Sequence, residues 1–527
     1  MTKYVNKGGF IFITLICNLV FGSILEFSNK PVALATAHTA VGGDVYSLYT
    51  NPAGLYGGRK FDLKIDLAAG WSFTGDILHN VNQIIDSAQK YEQIREAQQQ
   101  GRPINITQLA AFFNGIKNLL DISQPGKGVI AQFNGGVGVK IKSFAFSVRN
   151  FTDIGLKPLI DDNFFLGSVN VSTPTSSAPN LVRSLFFSGN TSGGVVITTD
   201  TAPADPELIQ ARNKLKNNVV PWVINELEKL GVQIPQEVKN NPEGIANALI
   251  NLAVQQNVSK QEIIDAVNLL AEREFQDFIS GYLNRIHQQA QSFSDNNSGV
   301  IFRGINYTEI AFGYSHKFFD RLLIGGSLKY FIARTLYYHL KVFQEEEELE
   351  ADFLRETISK RLAKTYTAFG LDLGAIYKLP IPVVETNVGL VIKNLIEPTF
   401  DIEDTREKIK IPRQAKLGVS GTLWKRITLG IDYDLNKVET LVPGYDVQNI
   451  AVGLQLDPPI LPTLRLGYLR NLQQDNDFLY TAGLGIKILL LNIDIVGALR
   501  PEEVRMKEGS SPFPSSAVVG LTLGMRF

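Results

Sequence analysis

Few side chains in this sequence are placed to do covalent chemistry. The five histidines are His38, His79, His287, His316 and His339. None stands in the HExxH spacing that holds a catalytic zinc, and no GxSxG turn presents a serine nucleophile. In "YSHKF", Ser315 precedes His316 directly. Consecutive residues of a strand point to opposite faces, so these two do not share a proton. Cys17 is the only cysteine and lies in an N-terminal apolar run that export would remove, which leaves no thiol for catalysis, disulfides or metal. The reading is of a protein that is not an enzyme, with no cofactor and no metal. What remains is a set of charged residues, Asp372, Asp432, Asp434, Arg465, Lys487 and Asp494, each embedded among small or apolar neighbours.

A period of two positions those charges. In "AKLGVSGTLWKRITLGIDYDLNK" (415–437), Leu417, Val419, Leu423, Ile427, Leu429, Ile431, Tyr433 and Leu435 share one phase; Gly430, Asp432 and Asp434 share the other. Only "WKR" separates the two runs, so they form a tight hairpin with one apolar face and one small or polar face. "TAFGLDLGAIYK" (367–378) and "FLYTAGLGIK" (478–487) repeat the pattern around Asp372 and Lys487. "SAVVGLTLGMRF" (516–527) ends the sequence with Ala517, Val519, Leu521, Leu523, Met525 and Phe527 in one phase. Strands are expected near 61–73, 128–141, 143–152, 304–316, 322–342, 363–379, 385–396, 409–423, 426–437, 447–456, 463–471, 477–487, 491–500 and 515–527. That is about fourteen, an even number, and apart from short "LQQDN" the connections alternate long and tight.

Long outer loops and short periplasmic turns, with both termini inside, give that parity, whereas a soluble sandwich has no reason to keep it. Lipid also forces closure, because an open sheet edge in hydrocarbon strands N–H and C=O groups without partners. The expected fold class is therefore an all-β membrane protein, a closed antiparallel transmembrane β-barrel. Its six charged residues named above would face the lumen.

The start of the chain and its composition agree with export. Lys3 and Lys7 precede "FIFITLICNLVFGSIL" (10–25), too short for a spanning helix, which needs roughly 20 residues, and suited to a secretory signal. "PVALATAHTA" then offers small-residue junctions at Ala33-Leu34-Ala35 or Ala35-Thr36-Ala37. A net charge of −1 over 527 residues carries no nucleic-acid footprint. The organisation expected is a signal peptide at 1–35, a plug at 36–60 and a barrel at 61–527 with helical loop insertions at 77–120 and 201–295. Ile77, Val81, Ile84, Ile85, Ala88 and Ile94 recur at helical spacing. Asp205 precedes Pro206 as an N-cap, and Ser259 with Glu262 makes a capping box. Ile263, Ile264, Val267, Leu270, Phe275, Phe278 and Ile279 form an apolar side that must pack somewhere. The acidic "FQEEEELEADFLRE" (343–356) reads as a solvated loop helix.

One stretch is too apolar for an exposed loop: "DVYSLYTNPAGLYGG" (44–58), which wraps the turn Asn51-Pro52-Ala53-Gly54 in tyrosines. Residues 36–58 are expected to fold back into the lumen, with the Asn51–Gly54 turn against the inner wall, Tyr46, Tyr49 and Tyr56 stacked on lumen residues, and Asp432 and Asp434 accepting tyrosine hydroxyls or N–H groups. A short Asn-Pro-Ala segment ahead of strand one resembles the N-terminal hatch of the FadL-type hydrophobic-compound transporters, which are fourteen-stranded outer-membrane barrels. The fuller "TAVGGDVYSLYTNPAGL", with "LDLGAIYKL" (371–379) and "VGLVIKNL" (388–395), looks closer to the PorV and TraF-like branch. Thr522 departs from the glycine expected in the last strand. The resemblance spans 35–73 and roughly 300–527, and implies a cell outer membrane location. It implies passage of hydrophobic small molecules or, alternatively, a non-transporting scaffold that binds envelope or secretion proteins. The partners implied are outer-membrane lipid and a hydrophobic small molecule or such proteins; nucleic acid is not among them.

Overall fold

The computed structural model describes residues 29–75, 77, 105–160, 187–188, 195–196, 202–229, 234, 236–288, 298–341, 364–402, 405, 407–504 and 513–527. Fourteen strands close into a barrel, each hydrogen-bonded to its sequence neighbours in the ring. They are β1 (Phe61–Thr74), β2 (Gly128–Ile141), β3 (Phe144–Leu159), β4 (Gly299–Phe318), β5 (Leu322–Lys341), β6 (Tyr366–Leu379) and β7 (Val384–Lys393). The second half runs β8 (Gln414–Leu423), β9 (Ile427–Asp434), β10 (Asn449–Leu456), β11 (Thr463–Asn471), β12 (Phe478–Ile488), β13 (Leu491–Val504) and β14 (Phe513–Arg526). The antiparallel pairing of β1 with β14, Leu63 opposite Met525 and Leu67 opposite Leu521, closes the ring.

Burial is inverted relative to a soluble protein. Leu429, Ile431 and Tyr433 of β9 are exposed, while Asp432 and Asp434 in the opposite phase are buried. The same inversion recurs along β1, where Ile65 and Leu67 face out and Asp62, Lys64 and Asp66 face in. Tight turns set the register. Between β8 and β9, Trp424 and Lys425 both take positive φ, 49° and 59°, matching the twist that a two-residue hairpin loop requires.

Several strand ends differ from the expected ones. β3, β4 and β13 run beyond the clean alternation, and β8 starts at Gln414 because residues 408–410 pair instead with 399–401 in a small hairpin of their own. The helix expected at 77–98 (Ile77 apart) and the acidic run at 343–356 lie outside the described residues.

The chain divides into two compact units, the second being helical and drawn from 78–123 and 159–298. In that unit Ile106–Ile122 starts at an Asn105/Gln108 capping box, Pro206–Lys214 at Asp205, and Lys260–Ala271 at the Ser259/Glu262 capping box. Ile263, Val267, Leu270, Phe275 and Ile279 are fully buried, so the apolar side of this stretch is the unit's own core. Trp222 packs on Phe113 and donates its indole N–H to Ser280 Oγ at 2.9 Å.

Candidate functional site

The inward face of the barrel is where polar residues, glycines and the N-terminal segment meet. Residues 31–40 and 44–55 are buried almost throughout, and their contacts are with the inward phase of the strands. Glycine is required where the backbone comes closest. A Cβ at Gly374 of β6 would collide with the Asn51 amide, and one at Gly430 of β9 would stand 2.6 Å from the Ala37 carbonyl. The small residues of the alternating strands thus make room for a second layer of chain.

Asn51 is the most connected side chain of that layer. Its Nδ2 donates to the carbonyls of Thr39 (2.9 Å), Ala375 (3.2 Å) and Leu390 (3.4 Å), while its Oδ1 accepts from the Ala53 N–H at 3.1 Å. It caps the 3₁₀ turn Pro52–Leu55, with Pro52 at the first position where no N–H is needed. Ser315 of β4 donates to the Ala53 carbonyl at 2.8 Å, and Gly54 accepts from the Gly43 N–H at 2.7 Å. An aspartate would supply the acceptor but neither donor proton.

The tyrosines divide. Tyr46 donates to Asp66 Oδ1 (3.0 Å) and lies 3.1 Å from Thr522 Oγ1, which itself donates to Asp66 at 2.6 Å. Tyr49 sits under the Arg149 guanidinium, 4.3 Å from ring centroid to Cζ. Tyr56 is exposed, because Gly57 and Gly58 at positive φ carry the chain away from the wall toward β1. Neither buried tyrosine reaches Asp432 or Asp434.

Asp432 instead accepts the backbone N–H groups of His38 (3.0 Å) and Thr39 (2.9 Å). Asp434 accepts from the Asn449 N–H at 2.9 Å and faces Lys416 at 3.4 Å. Asp372 pairs with Lys329 (2.7 Å), which also reaches Glu309 at 3.5 Å. Arg465 and Asp494 pair at 2.7 Å, with Lys64 3.6 Å from the same carboxylate. Lys487 is half exposed and pairs with Asp457. Of the six, Asp432 alone holds the N-terminal segment by a direct hydrogen bond among those described; the rest brace neighbouring strands.

The segment carries a charge cluster of its own. Lys30 contacts Asp44 at 2.6 Å, and His38 Nε2 lies 3.8 Å from the same carboxylate. Burial lowers the Lys30 and His38 values against the pull of Asp44. Burial would raise Asp44, yet Lys30 and His38 together hold it well below the usual carboxylate range. Ala33 accepts from Thr481 Oγ1 at 3.1 Å and Ala40 from Ser420 Oγ at 2.9 Å. Residues at the expected peptidase junction are therefore packed on the wall.

Sequence reading missed Asp62, Asp66, Ser315 and Thr522. Asp62 accepts the Val45 N–H at 2.9 Å. "FDLKID" holds a usable signal, since Asp62, Lys64 and Asp66 share the small or polar phase of an otherwise apolar strand. Thr522, which departed from the expected glycine, earns its place by bridging Tyr46 and Asp66.

Farther along the strands the interior changes character. Ile305, Phe331 and Ala333 pack with Phe400, Ile402 and Ile409, and Phe151 stacks on Tyr307 at 4.8 Å. Beside this apolar cluster the β3–β4 seam carries side-chain bridges. Asn306 Nδ2 donates to the Phe151 carbonyl (3.2 Å) and Thr152 Oγ1 (2.7 Å), and Asn150 Nδ2 to Thr308 Oγ1 at 3.2 Å. By contrast the wall beside Asn51–Ala53 is sealed, with β5 and β6 in unbroken register from Leu322–Tyr377 to Ala333–Tyr366. Ser315 and His316 point to opposite faces, one to Ala53 and the other to Tyr314.

The family model described as "F plasmid transfer operon, TraF, protein" matches residues 48–434. No curated protein sequence matches the chain. Among solved structures, the Ralstonia pickettii toluene transporter TbuX aligns over 94% of this chain and 98% of its own, at 11% identity and a TM-score of 0.39. The Pseudomonas putida toluene transporter TodX aligns over 95% and 98%, at 10% identity and a TM-score of 0.35. A Pseudomonas aeruginosa FadL homologue aligns over 96% and 100%, at 10% identity and a TM-score of 0.39.

Proposed function

The chain belongs to the family of the F plasmid transfer operon TraF protein, and from the barrel's closed fold and its interior we propose that it is an outer-membrane channel for hydrophobic small molecules, kept shut by its N-terminal segment. The outward phases of β1 and β9 are apolar, which suits hydrocarbon and not water. The observation that supports the transport reading is the packed apolar cluster of Ile305, Tyr307, Phe331, Phe400 and Ile409 on the inward phase of the strands. Apolar side chains at this depth of the barrel favour a greasy solute over water. The β3–β4 seam beside it carries Asn150 and Asn306 side-chain bridges in addition to its strand pairing. Residues 30–55 then act as the plug, and Asn51 is its main anchor.

A second reading, a scaffold that binds envelope or secretion proteins, is favoured by the sealed wall beside Asn51–Ala53. Uptake by proteoliposomes separates the two. With a fatty acid and an aromatic hydrocarbon as probes, a channel raises flux above protein-free vesicles for at least one of them. Flux equal to the protein-free control for both would leave the scaffold.

A further inference from the structure

Outward side chains line up in rungs across β10–β13. One rung reads Leu454, Leu466, Ala482 and Gly497; the next, toward the tight turns, reads Leu456, Leu464, Leu484 and Ile495. The first rung therefore falls from two leucines to a methyl group and then a hydrogen. A hollow of about 380 Å³ opens there, within the size range of small-molecule sites.

The fold does not ask for glycine at 497. A Cβ there would meet nothing nearer than the Val518 carbonyl at 3.8 Å, and its φ is not left-handed. At inward Gly485, by contrast, a Cβ would press on Asp494 Oδ1 at 2.5 Å. Gly485 is a packing requirement; Gly497 leaves space that the barrel itself does not use.

The turn end next to the hollow has the composition of a lipid boundary. Phe319, Val383, Trp424 and Leu489 tip four tight turns at 89%, 77%, 70% and 100% exposure. All four hold positive φ (52°, 76°, 49° and 55°), a conformation glycine or asparagine adopts with less strain. Bulky apolar side chains in strained turn positions are explained by what surrounds them, not by the backbone. Exposed Lys60, Lys142, Arg321, Lys378, Lys425 and Arg426 share this end with the acids Asp320, Glu385 and half-covered Asp457. The balance is positive. The Asp457 N–H donates to the Arg426 carbonyl at 2.8 Å, which sets the Trp424–Arg426 turn beside the strand end that carries Leu456.

We propose that the hollow and this turn form a binding site for one anionic phospholipid of the surrounding leaflet, an acyl chain lying over Ala482 and Gly497 and the phosphate meeting Lys425 and Arg426. The site rests on the reading that the outer wall faces lipid. It continues that wall without a break, and the positive turn end complements an anionic headgroup.

The test uses the full-length protein, inserted into vesicles of mixed phosphatidylglycerol and phosphatidylcholine, extracted gently and weighed by native mass spectrometry. The expected result is one retained phosphatidylglycerol. Filling the hollow with Ala482→Leu and Gly497→Leu should cut retention roughly tenfold, the loss from displacing about two buried methylenes. Lys425→Glu with Arg426→Glu should cut phosphatidylglycerol retention about fivefold per charge and leave phosphatidylcholine unchanged. Heat-dependent gel mobility verifies that each variant is still a closed barrel. Equal retention by wild type and the filled variant overturns the site, as does equal retention of the two lipids, or retention of added palmitate in place of phospholipid. Failure to insert into vesicles at all overturns the membrane reading itself.

Discussion

Asn51 shows how one side chain can hold two layers of chain together. It spends both donor protons and its acceptor on buried backbone groups from three separate stretches. Asn51→Ala removes those bonds and leaves the carbonyls of Thr39 and Ala375 without this donor, a loss of about 1–3 kcal/mol for buried groups. The midpoint of urea unfolding of the refolded barrel should fall, and single-channel recordings should show leak openings. Asn51→Asp should be no better than alanine, since it restores only the acceptor. An unchanged midpoint together with a closed conductance would remove Asn51 from the role given to it. This residue was legible in the sequence because Asn-Pro-Ala is a turn with few alternatives. Its partners were not. Thr522 and Asp66 lie 456 residues apart, and no local pattern links them before the ring closes.

At the scale of elements, the strands were legible because lipid on one face and small residues on the other impose a strict period of two. Boundaries failed where that contrast fades: β3 and β4 extend past the apolar band, into stretches where both phases are partly covered. The N-terminal segment was legible as buried, but its start was not, because Ala33–Ala37 fits a peptidase junction and a glycine-lined wall equally well. With Lys30 paired to Asp44 inside the wall, the mature chain is expected to begin ahead of Asn29, and intact mass will read it; a mature terminus at Thr36 or His38 would contradict this.

Acid should loosen the same segment. Burial lowers the His38 value below the ordinary one near 6.5. Once released, His38 takes up a proton that the seated state refuses, so stability falls as pH drops through about 6.5, by up to roughly 1.4 kcal/mol per pH unit. Asp44 is depressed, so its contribution is lost only at lower pH, below its usual value of about 4. Leak conductance should therefore rise between pH 7.5 and 5, and His38→Gln should flatten that rise. Conductance independent of pH in the wild type would show that His38 does not control seating. Deleting 36–56 should leave a barrel that still inserts but leaks at every pH; a closed deletion variant would mean that the segment never blocked the path.

Across the whole molecule, the two ends of the barrel differ in kind, and that difference was the most legible feature of all. Tight connections such as Lys317–Arg321 and Trp424–Arg426 alternate with long ones, the pattern of a membrane barrel with short turns at one end and long loops at the other. The helical unit is drawn from two long connections, β1–β2 and β3–β4, and its capping signals were readable in advance since they are local in sequence. If the long connections face the medium, then protease added to intact cells should cut within 160–298 and 342–363 before any tight turn. Mass spectrometry of the released peptides gives the order of cutting. The barrel strands, hydrogen-bonded on both edges, should survive as a resistant core, and permeabilising the cells should expose the "KFFDR" turn to trypsin at Lys317 and Arg321. Early cutting at that turn in intact cells, with the long connections protected, would turn the barrel upside down and place the phospholipid site in the outer leaflet.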